Sequence, residues 1–128
     1  MKQEQALALA PAAPAPAVNF SGPWKNEYQS TMTLTVNGAA VTGTYTSTVS
    51  STGANVTGPI VGWTSGNLIS FVVNWPNAAI TAWVGHMVVE NGKDTIETLW
   101  NMTMPTENPS DPSELWESVF SGADRFTR

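Results

Sequence analysis

The segment Thr31–Ser47, TMTLTVNGAAVTGTYTS, decides the fold. Apolar residues alternate with threonine over Thr31–Val36, which is the two-residue period of a strand with one buried face. Asn37-Gly38 follows, and an Asn-Gly pair between two such runs is a strong hairpin signal. Ala40–Ser47 is the predicted partner strand. The segment therefore predicts an antiparallel β-hairpin closed by a tight turn.

The same pattern continues along the chain. Two more hairpins are predicted, Asn55–Trp63 with Asn67–Trp75 around Ser65-Gly66, and Ile80–Glu90 with Asp94–Met104 around Asn91-Gly92. Gly22–Glu27 and a segment near Gly122–Thr127 supply the first and last strands. The expected fold is all-β, an eight-stranded antiparallel up-and-down barrel with a ligand pocket at one end and no exposed sheet edge. A β-sandwich is the competing layout. A parallel sheet is disfavoured because no connection is long enough for a crossover helix.

The composition divides the chain into an N-terminal leader and one domain. Residues 1–19 are mostly Ala and Pro and are expected to form a disordered leader, while 20–128 form the barrel domain. The chain has no cysteine, which removes disulfides and thiolate metal sites. The formal net charge is −5 and the Lys and Arg residues are scattered, which argues against nucleic acid and membranes as partners. We expect a secreted or extracytoplasmic protein.

Six tryptophans in so short a chain suggest a lined cavity in addition to a core. Because successive side chains of a strand point to opposite faces, Trp75, Trp83 and Trp100 are predicted to face inward. Tyr28 faces inward too if the first strand runs on without a bulge. The polar residues expected beside them are Asn26, Ser30, Tyr45, Ser47, Thr81 and Asp124. An inward tryptophan is usually core, but burying this many unpaired polar groups would cost about 1–3 kcal/mol each. We therefore expect apolar walls with a few hydrogen-bonding groups.

Several short motifs stand in order between residues 20 and 127. They are Gly22–Thr31 (GPWKNEYQST), Val41–Ser47 (VTGTYTS), Thr81–Trp83 (TAW), Thr98–Trp100 (TLW), Trp116–Ser118 (WES) and Gly122–Phe126 (GADRF). Together they resemble G-x-W-x-N-x-x-x-S-T, L-T-G-T-Y-x-S, T-x-W, T-x-W, W-x-S and G-x-D-x-F of the avidin–streptavidin family. The resemblance implies an eight-stranded barrel that binds biotin non-covalently in its mouth, and streptavidin is a standard example of such a barrel.

The resemblance also implies a role for the polar residues. Asn26, Ser30 and Tyr45 would donate hydrogen bonds to the ureido oxygen of biotin. Ser47 and Asp124 would accept hydrogen bonds from the two ureido N–H groups, the second as a charge-assisted bond. Thr81 would approach the thioether sulfur, which is a weak acceptor.

The same resemblance implies which residues form the walls of the pocket. Trp75, Trp83 and Trp100 would form an apolar box around the fused rings, Val49 would cover one side, and Ser51 would bind the valeryl carboxylate. Tyr28 and Met102 replace leucines of the family pattern. Ala79 stands where the family has a hydroxyl that helps to hold the carboxylate, and Asn77 is the substitute.

Trp116 resembles the tryptophan that enters a neighbouring subunit's pocket in tetrameric members. This implies a homotetramer, with a dimer as the alternative. The other interpretation is that Trp116 folds over its own barrel end.

The sequence favours a binding protein without catalysis, metal or cofactor, with biotin as the ligand. The only histidine, His86, faces away from Trp83 by parity and so lacks partners for acid–base chemistry. Two other functions stay open, a carbohydrate-binding module and a lipocalin-like small-molecule carrier. The first would present exposed tryptophans, and the second would not need Asn26, Ser30, Tyr45 and Asp124 together.

Overall fold

The computed structural model describes residues 1–48, 53–106, 108, 110–112 and 118–128. Eight antiparallel strands form a closed barrel in which each strand pairs with its neighbours in the chain and the last pairs with the first. The strands are β1 Gly22–Asn26, β2 Thr31–Asn37, β3 Ala40–Ser47, β4 Val56–Ser65, β5 Leu68–Asn74, β6 Ile80–Glu90, β7 Lys93–Thr103 and β8 Val119–Thr127. The predicted up-and-down barrel is confirmed, and the sandwich layout is wrong.

Three two-residue turns close one end of the barrel. Between β6 and β7 the turn is Asn91-Gly92, as predicted, with positive φ at both residues, the pattern of a type I′ turn. The other two turns lie one residue beyond the predicted pairs, because Asn37 pairs with Ala40 and Ser65 pairs with Leu68. In both turns glycine comes first and alone has positive φ, as in a type II′ turn.

Inward-facing side chains fill this end of the barrel. The largest fully buried ones are Trp24, Phe20, Phe71, Phe126, Met32, Leu34, Ile60, Ile96, Val41 and Val73. They alternate with exposed residues along the strands, as the eBeBeBe pattern of β5 shows. The core therefore extends from the end with the tight turns as far as Val73, which pairs with Thr81 towards the end with the longer connections.

The connection between β1 and β2 departs from the predicted alternation of inward and outward side chains. β1 ends at Asn26, and residues 27–29 turn the chain, with Gln29 at φ 67°. The carboxamide oxygen of Asn26 accepts the backbone N–H groups of Tyr28 and Ser30, each at 3.0 Å, which is how an Asn side chain stabilises a turn. The condition for an inward Tyr28, a first strand that runs on without a bulge, is therefore not met, and Tyr28 is 68% exposed.

The two ends of the chain meet beside the tight turns. Residues 1–19 are exposed, and Gln3–Leu7 forms a short helix, α1, in a segment expected to have no regular structure. The side chain of Gln5 accepts the Lys2 N–H at 2.9 Å and so caps this helix. Arg128 donates to the carbonyl oxygens of Asn19 and Ser21 at 2.8 and 3.2 Å. In the described part of the chain no helix is long and apolar enough to cross a membrane.

The outside of β4–β7 carries exposed apolar side chains, which we call the outer apolar face. Its members are Val61, Trp63, Leu68, Val72, Val84 and Leu99. Val61 lies opposite Val72 and Val84 lies opposite Leu99 in the strand register, so the residues are neighbours across the sheet. Contiguous exposed apolar surface of this kind marks an interaction site more often than scattered single residues do.

Candidate ligand pocket

A cavity of about 580 Å³ lies at the end of the barrel that holds the longer connections. Its volume is within the range of about 300–1,000 Å³ that small-molecule sites occupy. The residues that line it are Asn26, Tyr28, Ser30, Ser47, Val56, Trp75, Asn77, Ala79, Thr81, Trp83, Trp100, Met102, Met104 and Asp124. Because these come from strands all around the barrel, closure of the barrel is what brings them together.

Aromatic rings fix the inner wall. Trp83 is stacked between Tyr45 and Phe71, with centroid separations of 5.0 and 4.9 Å and interplanar angles of 24° and 15°. Trp75 meets Tyr45 edge to face at 5.5 Å. Such pairs stabilise a fixed arrangement beyond the area that they bury. The wall therefore continues the hydrophobic core and does not depend on a ligand for its shape.

Trp100 forms the opposite side of the cavity and packs on backbone. A β-carbon at Gly122, its register partner on β8, would stand 2.6 Å from the Trp100 ring. Only glycine lets the ring lie flat against this strand. The G-x-D-x-F motif thus supplies a glycine for the tryptophan as well as an acid for the pocket.

Asn26 presents its amide nitrogen as a donor. Its oxygen already accepts two backbone N–H groups, so the orientation of the carboxamide is set. The nitrogen donates one proton to the hydroxyl of Tyr45 at 3.2 Å. Within the described residues the second proton has no partner. It is therefore available to an acceptor in the cavity.

Two hydroxyl groups lie beside Asn26. Ser30 Oγ accepts the Thr48 N–H at 3.2 Å, and its own proton has only a long contact of 3.5 Å to Thr48 Oγ1. Tyr45 is buried behind the wall and reaches it through the bond from Asn26. Burial, and then the negative charge of Asp124, raise the pKa of Tyr45. The phenol therefore keeps its proton and can act as a donor.

Asp124 is the acceptor on the other side. Trp83 Nε1 donates to its Oδ2 at 2.8 Å, and the Thr98 hydroxyl donates to its main-chain oxygen at 2.9 Å. Burial raises the pKa of the Asp124 carboxyl, the bond from Trp83 lowers it, and the charge of Glu27 raises it. The carboxylate oxygen Oδ2 is thus held in place by Trp83.

Thr81 is oriented in a similar way. Trp75 Nε1 donates to Thr81 Oγ1 at 2.9 Å, so the hydroxyl oxygen is engaged as an acceptor. Its proton is left for a weak acceptor in the cavity. Ser47 lines the wall at the end of β3.

Of the predicted site residues that the structure describes, all but Tyr45 line this cavity, and Tyr45 is buried behind the wall. The predicted residues Val49, Ser51 and Trp116 lie outside the described residues. Val56 and Met104 also line the cavity and were not predicted. Strand parity would have identified both, since Val56 shares a face with Ile60 and Met104 follows Trp100 and Met102. In the described ranges no three His, Cys, Asp or Glu side chains are grouped to hold a metal ion.

Comparison with known proteins gives one consistent result. The model of the Avidin family matches residues 14–128. Afifavidin of Afifella pfennigii is 34% identical over an alignment of 119 residues, which covers 88% of this chain and 69% of afifavidin. Avidin-related protein 4/5 of Gallus gallus is 31% identical over 129 residues and covers 94% of this chain and 84% of that protein. The structure of a rhizavidin–biotin complex has a TM-score of 0.69 at 30% identity, with 92% of this chain and 95% of rhizavidin covered.

Proposed function

The chain belongs to the avidin family, and from this premise we propose that it binds biotin non-covalently and tightly in the cavity at the barrel mouth. One observation carries the proposal: the donors of Asn26 and Ser30 and the acceptor Asp124 line a single tryptophan-walled cavity. Rhizavidin, which has the same fold at 30% identity, forms a complex with biotin. We propose ligand binding alone, without catalysis and without a metal or other cofactor.

The ureido group of biotin would occupy the space between these donors and acceptors. Asn26, Ser30 and Tyr45 donate to its oxygen, an arrangement that favours the polarised carbonyl in the way that fixed donors stabilise an oxyanion. Asp124 and Ser47 accept from its two N–H groups. Support comes from the free Asn26 proton and from the fixed Asp124 carboxylate, which need no rearrangement to make these bonds.

The remainder of the ligand would lie along the apolar walls. Trp75, Trp83 and Trp100 enclose the fused rings, and Thr81 donates to the thioether sulfur. Tyr28 and Met102 line the opening. For the valeryl carboxylate we propose Asn77, which lines the cavity beside Ala79, together with Ser51. Val49 completes one side in this proposal.

The proposal is tested by titrating the protein with biotin while tryptophan fluorescence is followed. We expect a saturating change at about one biotin per chain, because ligand binding desolvates the indole rings. Asp124→Ala removes a charged acceptor, so affinity should fall by about 10- to 150-fold, the equivalent of about 1.5–3 kcal/mol. Asp94→Ala, at the end with the tight turns, is the matched control and should bind like wild type. A flat trace from a protein with an intact thermal transition would contradict the proposal.

The two rival functions make different predictions in the same assay. A carbohydrate-binding module would respond to oligosaccharides and not to biotin. A lipocalin-like carrier would respond to larger apolar molecules and would tolerate Asp124→Ala. Family membership favours biotin over both.

We also infer that the chain self-associates as a homotetramer, with a dimer as the alternative. The outer apolar face supports this, since Trp63 is 67% exposed and Leu99 is 64% exposed. The proposal that Trp116 reaches a neighbouring pocket rests on the sequence pattern alone. Light scattering should give a multiple of the chain mass for wild type and a smaller mass for Val84→Lys with Leu99→Lys. Trp116→Ala should speed biotin release only in the associated form. A single-chain mass for wild type would refute the inference of self-association.

A secreted or extracytoplasmic location is part of the proposal. This part rests on the sequence expectation alone. Fractionation of the producing cells should recover the protein outside the cytoplasm, and recovery in the cytoplasm alone would refute this part.

A further inference from the structure

Gly58, on β4, lies between two aromatic side chains of the inner wall. It is buried and faces inward, and its register partner on β3 is Tyr45. The register that pairs Ile60 with Val73 on β5, carried on by two residues, sets Gly58 opposite Trp75. Tyr45, Gly58 and Trp75 therefore form one row across three strands, with the glycine in the middle.

The missing side chain at Gly58 lets the two rings meet. The ring centroids of Tyr45 and Trp75 are 5.5 Å apart, edge to face. A β-carbon at Gly58 would stand 2.6 Å from Val73 Cγ1, 3.0 Å from the carbonyl oxygen of Asn74 and 3.3 Å from Trp75 Cε3. Carbon atoms in favourable contact are about 3.5–4.0 Å apart. A methyl group at this position would therefore push the end of β5, and Trp75 with it, away from β4.

Trp75 is the ring that such crowding would move. Tyr45 is stacked on Trp83 at 5.0 Å and meets Phe126 edge to face at 6.1 Å. Its hydroxyl also accepts the hydrogen bond from Asn26 at 3.2 Å. Trp75 lies one residue beyond the end of β5 and is only partly buried. Crowding from β4 therefore displaces Trp75 before it displaces Tyr45.

We propose that Gly58 is a positioning residue for ligand binding, because its missing side chain fixes Trp75 in the wall of the cavity. Trp75 Nε1 donates to Thr81 Oγ1 at 2.9 Å, so a displaced indole would release the hydroxyl proposed to meet the thioether sulfur. Both side chains would then have to be ordered when the ligand binds, which weakens binding. This inference rests on the proposed function, since it takes biotin as the ligand of the cavity.

The test compares Gly58→Ala with Gly43→Ala. Both substitutions add one methyl group to a crowded position of the sheet. A β-carbon at Gly43 would meet Thr33 and Leu34, and neither residue lines the cavity. Biotin dissociation rates, measured by chase with unlabelled ligand, should rise about 2- to 13-fold for Gly58→Ala and stay at the wild-type value for Gly43→Ala. Equal rates for the two variants would overturn the role of Gly58.

A double-mutant cycle with Trp75→Leu separates positioning from general destabilisation. Leucine has no atom in the place of Cε3, so Gly58→Ala should no longer speed biotin release in this background. The contact with Val73 remains, so the lower urea midpoint caused by Gly58→Ala should persist. The same acceleration in both backgrounds would overturn the inference. If Gly58→Ala does not fold, the measurements are made with Val73→Ala, which removes the 2.6 Å contact.

A measurement without ligand separates failure of this inference from failure of the proposed function. The indole N–H resonance of Trp75, assigned by its loss in Trp75→Leu, reports the hydrogen bond to Thr81. It should shift in Gly58→Ala and stay in place in Gly43→Ala. An unmoved resonance with normal biotin binding would overturn only the role of Gly58. A shifted resonance in a protein whose wild type does not bind biotin would overturn the proposed function and leave Gly58 as the residue that positions Trp75.

Discussion

Replacing Trp83 by phenylalanine separates the hydrogen bond of this residue from its ring packing. The indole Nε1 donates to Asp124 Oδ2 at 2.8 Å, while the ring is stacked between Tyr45 and Phe71. Phenylalanine keeps a ring in that stack but has no N–H to hold the carboxylate. A hydrogen bond to a charged group contributes about 1.5–3 kcal/mol. Because this bond forms on folding, its loss should lower the free energy of unfolding by about that amount. The Kd for biotin should rise by about 2- to 13-fold, the equivalent of about 0.5–1.5 kcal/mol, which is what ordering the released carboxylate would cost on binding.

The matched control is Trp100→Phe. Trp100 is the register partner of Trp83 on β7 and lines the same cavity, so the substitution removes the same atoms without touching the Asp124 bond. Its effect reports lost contact area alone. Biotin dissociation rates, measured by chase with unlabelled ligand, should increase more for Trp83→Phe than for Trp100→Phe. Equal increases, with thermal melts showing both variants folded, would refute the assignment of the difference to the hydrogen bond.

Three further predictions concern stability. Gly43→Ala should lower the free energy of unfolding by about 1–3 kcal/mol in urea titration, because its β-carbon would stand 2.0 Å from the carbonyl oxygen of Thr33; an unchanged midpoint would contradict this. Arg128→Ala loses two carbonyl contacts and the 2.8 Å pair with Asp94, so it should cost about 1–2 kcal/mol and leave biotin affinity intact. Burial raises the pKa of Tyr45, so the folded state holds this proton more tightly than the unfolded chain. Stability should therefore fall as the pH rises above about 10, and less steeply in Tyr45→Phe, as denaturant midpoints at alkaline pH would show.

Strand periodicity predicted the barrel but not the register of every hairpin. Moving the turn from Asn37-Gly38 to the next residue pair shifts the strand register by two residues. Val36 and Val41 therefore face inward in both registers. Alternation alone cannot choose between them. The observed register sets Gly43 opposite Leu34, where the strands come too close for a side chain on β3. That contact belongs to the folded pair of strands and is absent from local sequence signals.

For the site, too, local periodicity predicts some features, while others depend on contacts that form only in the folded barrel. The alternation of side chains along strands places Trp83, Trp100 and Thr81 on the inward faces of β6 and β7, and Trp75 lines the cavity one residue beyond the end of β5. The alternation does not extend to Tyr28, because the chain turns at residues 27–29 and Gln29 takes a positive φ, which is uncommon for a residue other than glycine. The bond from Trp83 to Asp124 joins residues far apart in the chain, and it exists only because β6, β7 and β8 are adjacent in the barrel. The hydrogen bond from the Arg125 main-chain N–H to Glu27 depends in turn on closure of β1 against β8.

The polar groups of the pocket are fixed before any ligand enters. Asn26 donates to Tyr45, Trp75 donates to Thr81 and Trp83 donates to Asp124, so folding has already oriented the donors and acceptors. A ligand that fits them gains the full value of each new bond, because little side-chain entropy remains to be lost on binding. Tyr45 and Trp83 also belong to the buried core. Substitutions that weaken binding at these two positions should therefore also lower stability, whereas Asn77 and Met104 at the rim can be changed with an effect on affinity alone.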